Sequence, residues 1–246
     1  MKLDAILAPG ELPALARRDL RQTVCVVFDI LRATSTFVTA LHHGAAAIIP
    51  VSEISEAVAL RQRQPGLLLA GERHGVKISA AQSGGVDFDL GNSPREFTAA
   101  RVAGRTIVST TTNGTRALRA CAGARTVLAA SFLNLAATAR YLQALAPAEI
   151  LLVCAGTGDG AALEDVLAAG ALAEQLAGSP TDAVLIARQM FAAAKGNLTA
   201  ALGGSQNGAC LLARPELHDD VAYCAQRDLL PLVAVADTSG HLRAHR

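Results

Sequence analysis

The run Thr110-Thr111-Thr112-Asn113-Gly114-Thr115 gathers four hydroxyls, an amide and a glycine one residue after the apolar pair Ile107-Val108. Hydroxyls at that density need partners, because an unpaired buried hydroxyl costs roughly 1–3 kcal/mol. The pattern predicts that a buried strand ends here and that a helix over 115–122 begins. In an open α/β sheet that junction is where ligands bind. Hydroxyls, an amide, a flexible glycine and free helix N–H groups suit an oxyanion such as phosphate or sulfonate. A Ser/Thr-rich helix cap is the competing reading of this segment.

Two more strand ends carry chemistry-bearing residues. In Asp29-Ile30-Leu31-Arg32-Ala33-Thr34-Ser35-Thr36, Asp29 stands at the tip of an apolar strand, a common place for a base or a metal ligand. Arg32, three residues on, has the fork that clamps an oxyanion bidentately. The alternative is that Asp29 caps the next helix and Arg32 pairs with it. In Cys154-Ala155-Gly156-Thr157-Gly158-Asp159-Gly160-Ala161-Ala162-Leu163-Glu164-Asp165 a strand runs into a glycine loop and then an acidic first helical turn. The macrodipole alone favours such acids by about 0.3–1 kcal/mol each. Glu164, Asp165 and Asp159 together exceed what capping requires, which points to a metal. Parallel strands would bring the three clusters to one sheet edge. Gly71-Glu72-Arg73 follows a further strand, and Asn92-Ser93-Pro94 closes a long loop, with Ser93-Pro94 expected as a helix N-cap and first helical residue.

Several familiar motifs fail. Gly156-x-Gly158-x-Gly160 brings its third glycine too early for a dinucleotide loop, and no phosphate loop of the G-x-x-x-x-G-K-[ST] kind is present. Cys154 is followed six residues later by Gly160, where a thiol phosphatase needs arginine. Asp29 has Leu31 where an aspartyl phosphatase needs a second Asp. Asp87-Phe88-Asp89 follows no buried strand.

The elements that must hold these clusters alternate along the chain. Strands are predicted at 24–28, 45–51, 67–70, 105–108, 126–130, 150–154 and, last, 232–236. Helices are predicted up to residue 42 and at 54–64, 115–122, 133–145, 161–176, 182–195 and 218–227. Near-continuous apolar strands in a βαβα rhythm predict an α/β fold of three α/β/α layers around a mostly parallel or mixed sheet. Residues 74–93 read as a functional loop. The chain is expected to form one α/β unit over 1–246, and a division into two subdomains near 100–105 stays open.

Composition narrows the function classes. Of 246 residues 51% are hydrophobic and 17% charged, with 22 basic and 21 acidic side chains for a net +1. No basic run or aromatic platform supports nucleic-acid binding. No apolar stretch suggests a membrane span, and the early Asp4 and Pro9-Gly10 argue against a signal peptide. Five scattered cysteines without a C-x-x-C pair fit reduced thiols and a cytoplasmic setting.

Taken together, these segments resemble the 2-phosphosulfolactate phosphatase family of coenzyme M biosynthesis. The resemblance rests on residues 29–36, Gly71-Glu72-Arg73, Phe88-Asp89-Leu90-Gly91-Asn92-Ser93-Pro94, residues 110–115, Cys154-Ala155-Gly156 and Ala162-Leu163-Glu164-Asp165, in that order. Asp220-Val221-x-Tyr223-Cys224-Ala225 with Asp228 adds a weaker match. One segment departs from the family pattern: residues 78–87 replace a short Ile-Pro-Gly link. The resemblance implies a Mg²⁺-dependent phosphatase acting on 2-phospho-3-sulfolactate or a similar small acidic phosphoester. Asp29, Glu72, Glu164 and Asp165 are then the candidate metal carboxylates, with Asp29, Arg32, Glu72 and Asp165 as the catalytic set. Arg73, Asn92, Ser93, Thr111, Thr112, Asn113, Gly114 and Thr115 are the candidate substrate contacts. A homo-oligomer stays open, as do two rival functions: a small-anion binding protein and a different phosphoester-processing enzyme.

Overall fold

The computed structural model describes residues 1–245. Its strands are β1 (Lys2–Ile6), β2 (Thr23–Phe28), β3 (Ala47–Pro50), β4 (Leu68–Arg73), β5 (Val76–Lys77), β6 (Thr106–Thr110), β7 (Thr126–Ala130), β8 (Glu149–Cys154), β9 (Ser179–Pro180), β10 (Val233–Ala236) and β11 (Leu242–His245). They form one mixed sheet in the order β5-β4-β6-β3-β11-β10-β7-β2-β8-β1-β9. This is the expected α/β fold. No helix among the described residues is long and apolar enough to cross a membrane.

The sheet consists of two parallel halves. In one, β4 and β3 flank β6; in the other, β7, β2, β8 and β1 lie side by side. The antiparallel hairpin of β10 and β11 joins them, β11 against β3 and β10 against β7. Through that join the halves run in opposite directions, so the polar strand ends do not share one parallel edge as the sequence suggested. They meet because the sheet twists. At about 20–25° per neighbouring pair, the steps from β2 to β6 accumulate roughly 100–125° of rotation. The end of β6 accordingly meets the end of β2, with Gly114 beside Asp29 Oδ2.

Side-chain alternation builds the layers. Val24, Val26 and Phe28 of β2 pack with Leu128, Leu152, Leu167 and Phe191 on one face. Cys25 and Val27 pack with Val127, Leu151, Phe37 and Leu118 on the other. Fully burying such an aliphatic or aromatic side chain contributes about 1.5–3 kcal/mol. Helix Ala33–His42, buried through Leu41, keeps its hydroxyls bonded: Ser35 Oγ donates to the Ile30 carbonyl at 2.9 Å, Thr39 Oγ1 to that of Ser35 at 2.8 Å, and Thr36 Oγ1 to that of Asn92 at 2.7 Å.

Several boundaries differ from the sequence expectation. β4 runs on through Glu72 and Arg73 and turns into β5, so the predicted loop opens with a hairpin and also holds a one-turn helix at Ala80–Ser83. β6 takes in Thr110, whose hydroxyl donates to the Ser52 carbonyl at 3.0 Å. β1 was not anticipated, and β11 follows the strand expected to be last. Ser93 does not cap the turn Pro94–Glu96; its hydroxyl donates to Asp220 Oδ1 at 2.7 Å instead.

Candidate active site

Asp29 leaves the end of β2, and its Oδ1 accepts the Ala33 N–H at 2.9 Å, which fixes the strand-to-helix turn. Among the described residues nothing hydrogen-bonds to Oδ2, which faces Gly114 from the other half of the sheet. Asp165, in the first turn of helix Leu163–Glu174, accepts from Ile30 N at 2.8 Å and Gly156 N at 2.9 Å. It braces the ends of β2 and β8 together. Its neighbour Glu164 accepts from Asn207 Nδ2 at 2.7 Å through Oε1, while its buried Oε2 has no partner. Glu72 accepts from Thr112 N at 2.9 Å and Gly75 N at 2.7 Å.

Burial and neighbouring carboxylate charge act together on Asp29 and Asp165. Burial, opposed by the Ala33 N–H and reinforced by the charges of Glu72 and Glu164, pushes Asp29 up to about 7. Burial and then Asp29 and Glu164 push Asp165 well above the carboxylate range. Repulsion of this kind marks a place where a cation would be stabilised. No three His, Cys, Asp or Glu side chains gather at metal-holding distance among the described residues. An ion bound here would take one or two carboxylates and fill its other positions with water or substrate oxygens.

The arginines are more constrained than their sequence positions suggested. Arg32, 3% exposed, donates through Nη1 to Asp220 Oδ2 at 2.8 Å and through Nη2 to the Gly75 carbonyl at 2.9 Å. It pairs with Asp220, not with Asp29. Arg73 turns its fork to the Glu72 carbonyl at 2.7 Å and Thr110 Oγ1 at 3.0 Å, locking β4 to β6.

The threonine run spends most of its hydroxyls inside the protein. Thr111 and Thr115 bond reciprocally, each backbone N–H donating to the other's hydroxyl, at 3.3 and 3.2 Å. Thr112 is held by Glu72. Asn113 Nδ2 reaches the Ala155 carbonyl at 2.7 Å and that of Gly158 at 2.9 Å, tying the run to the end of β8. These bonds enclose a cleft of about 480 Å³ lined by Asp29, Arg32, Glu72, Asn92, Thr112 and Asn113. Arg73, Ser93, Thr111, Gly114, Thr115, Glu164 and Asp165 are not on its lining. A larger cleft of about 820 Å³ elsewhere contains none of the predicted residues. Its carboxylates Glu56 and Asp237 are paired with Arg119 and Arg243, so it offers no reactive centre.

The family model described as 2-phosphosulpholactate phosphatase matches residues 11–239. The chain belongs to the 2-phosphosulfolactate phosphatase family. It is an enzyme of the phosphoric monoester hydrolase class. It is 41% identical over 224 residues to a probable 2-phosphosulfolactate phosphatase of Symbiobacterium thermophilum, covering 88% of this chain and 92% of that one. It is 43% identical over 222 residues to one from Deinococcus radiodurans, covering 87% and 89%. A third, from Thermotoga petrophila, is 40% identical over 232 residues, covering 94% and 93%.

Within this family member, the cleft residues Asn207 and Arg214 escaped the sequence, and Asp220, named there only in the weaker C-terminal match, was given no role. Asp220, fully buried, anchors both Arg32 and Ser93. Its place in that match, beside the buried Val221 and Cys224 of helix His218–Cys224, was the available sign of its role. Asn207 bridges Glu164 and Thr157, and Arg214 lines the cleft. Neither sits in a local motif. Asp228 of the weaker C-terminal match is a scaffold residue, its Oδ1 accepting the Ala136 N–H at 2.6 Å.

Proposed function

We propose that the protein hydrolyses 2-phospho-3-sulfolactate to 3-sulfolactate and inorganic phosphate, and that it requires Mg²⁺. The observation that carries the reading is the charge of the cleft. Asp29 and Glu72 line it, the charge of Arg32 is matched by buried Asp220, and Arg214 at the rim is the one cation left against the two carboxylates among the described lining residues. The ester adds nearly two negative charges on phosphate, plus a sulfonate and a carboxylate. An anion of that charge enters an acidic cleft only with a cation between them. The donors fit Mg²⁺, since Asp29 Oδ2 has no hydrogen-bond donor among the described residues and Glu164 Oε2 is buried without one. Those two oxygens would hold the ion, with Asn207 fixing the Glu164 carboxylate and Asp165 bracing the strand ends around it. Bound there, the ion would neutralise developing phosphoryl charge and acidify an attacking water.

The chain's own groups supply positioning. Asn113 and Thr112, fixed by the Ala155 carbonyl and by Glu72, form one wall of the cleft. Arg32, immobilised at both ends of its fork, presents its remaining N–H groups to an oxyanion without further ordering cost. Water is the nucleophile in this reading. Cys154, at the end of β8, is fully buried, and burial followed by the charge of Asp165 pushes its thiol well up, away from the reactive thiolate.

Phosphate release from a panel of phosphorylated hydroxy acids, with Mg²⁺ and with excess chelator, tests the proposal. Metal-dependent turnover led by 2-phospho-3-sulfolactate is the expected result. Binding without release would leave an anion-binding protein, and preference for an ester lacking sulfonate would reassign the substrate.

A further inference from the structure

We propose that Arg214 selects the substrate by binding its sulfonate; the inference rests on the reading of the chain as a 2-phosphosulfolactate phosphatase. Arg214 follows helix Gln206–Leu212, is half-buried, and lines the cleft that holds Asp29 and Glu72. It donates Nη1 to the His74 carbonyl at 3.0 Å. No carboxylate lies within ion-pair distance of it among the described residues. A guanidinium carries five N–H donors, so four stay available for an oxyanion. Arg32, the other arginine on the lining, is already neutralised by Asp220. Arg214 is thus the cleft guanidinium whose charge is not balanced by the protein.

Its position is built. His74 and Gly75, at φ 54° and 78°, form the left-handed two-residue turn between β4 and β5. A Cβ on Gly75 would lie 2.9 Å from Arg214 Nη1, so the glycine lets the guanidinium settle onto the turn. The Gly75 N–H donates to Glu72 and its carbonyl accepts from Arg32. One turn therefore sets Arg214 in register with the residues expected around the phosphate. In the substrate, phosphate and carboxylate are borne by the same carbon, and the sulfonate is on the next. Once the phosphate is at the acidic end, the sulfonate is the group left to meet a separate cation. A planar fork matches its tetrahedral oxygens, which a lysine ammonium does not.

The test compares 2-phospho-3-sulfolactate with 2-phospholactate, which lacks only the sulfonate, in the wild type, Arg214→Ala and Arg214→Lys. The preference of the wild type for the sulfonated ester should fall roughly 10- to 100-fold in Arg214→Ala, the loss expected for deleted charge-assisted hydrogen bonds, mostly through KM. Arg214→Lys should recover part of it. Equal losses on both esters would make Arg214 a strut for the β4–β5 turn and overturn the proposal, as would no loss on either. Calorimetric binding of 3-sulfolactate and of lactate reads the same contact without turnover. A loss in Arg214→Ala confined to 3-sulfolactate supports the assignment even if neither ester is hydrolysed, a result that would sink the phosphatase reading alone. Failure of the wild type to bind 3-sulfolactate would refute the Arg214 assignment.

Discussion

Gly114 and Asp29 are fitted to each other across the join between the two half-sheets: a Cβ on Gly114 would lie 2.5 Å from Asp29 Oδ2 and 2.7 Å from the Ala33 Cβ. The missing side chain is what lets the helix Gly114–Ala120 approach the carboxylate. Gly114→Ala should displace Asp29, cost about 1–3 kcal/mol of stability through overpacking, and lower kcat/KM by more than that loss of folded protein explains. Unchanged kinetics and an unchanged urea midpoint would show that the space is not needed.

Arg32 and Asp220 form the most deeply buried ion pair of the site, at 2.8 Å and with 3% and 0% exposure. Removing one partner leaves the other charge buried. Asp220→Ala should destabilise the protein by about 3–5 kcal/mol, read by urea unfolding. Arg32→Lys keeps the charge but cannot reach both Asp220 and the Gly75 carbonyl as a fork does, and should lower kcat/KM at least about tenfold. Near-normal kinetics in Arg32→Lys would reduce Arg32 to a packing partner.

Acid sensitivity should originate away from the cleft. Burial would raise Asp4, but hydrogen bonds from Thr181 and Arg18 outweigh it and hold it below its ordinary 3.8. Burial is likewise outweighed at Glu149 by Lys2 and Thr23, below the ordinary 4.5. Both are therefore more acidic folded than unfolded. Their stabilisation is complete above about pH 4.5 and drains away as pH falls through the lowered values. Asp4→Asn should flatten the acid limb of a plot of urea midpoint against pH. An acid limb as steep as that of the wild type would place the sensitivity elsewhere.

Cys154 packs among Leu152, Leu167 and Phe28 in the core. Cys154→Ala should keep kcat within a few-fold and lose about 1 kcal/mol of stability from the small cavity. Abolished turnover in a folded Cys154→Ala protein, or a phosphocysteine trapped during reaction, would overturn attack by water.

The sequence made some of this legible and hid the rest for physical reasons. β2 and β7 were readable because a strand buried on both faces must be apolar throughout, as Val24, Cys25, Val26, Val27 and Phe28 are. β1 carries Lys2 and Asp4 among its five residues, and β11 reads Leu242-Arg243-Ala244-His245, so neither shows that run. Since β11 is half of the hairpin that joins the opposed halves, missing it also hid how the strand ends meet. Asp29, Glu72, Thr112 and Asn113, which line the cleft, could be singled out because each ends or follows a strand with local polar neighbours. Asn207, Arg214 and Asp220 reach partners 43, 140 and 188 residues away, a relation that spacing cannot carry.

The most direct test measures phosphate release from 2-phospho-3-sulfolactate against Mg²⁺ concentration, in the wild type, Asp29→Asn and Glu164→Gln. The wild type should be inactive in excess chelator and recover on adding Mg²⁺. Each variant should need at least about tenfold more metal for half its maximal rate, the scale of losing a group that holds or orients a metal. Full turnover by the wild type in chelator, or unshifted Mg²⁺ dependence in both variants, would contradict a metal held between Asp29 and Glu164.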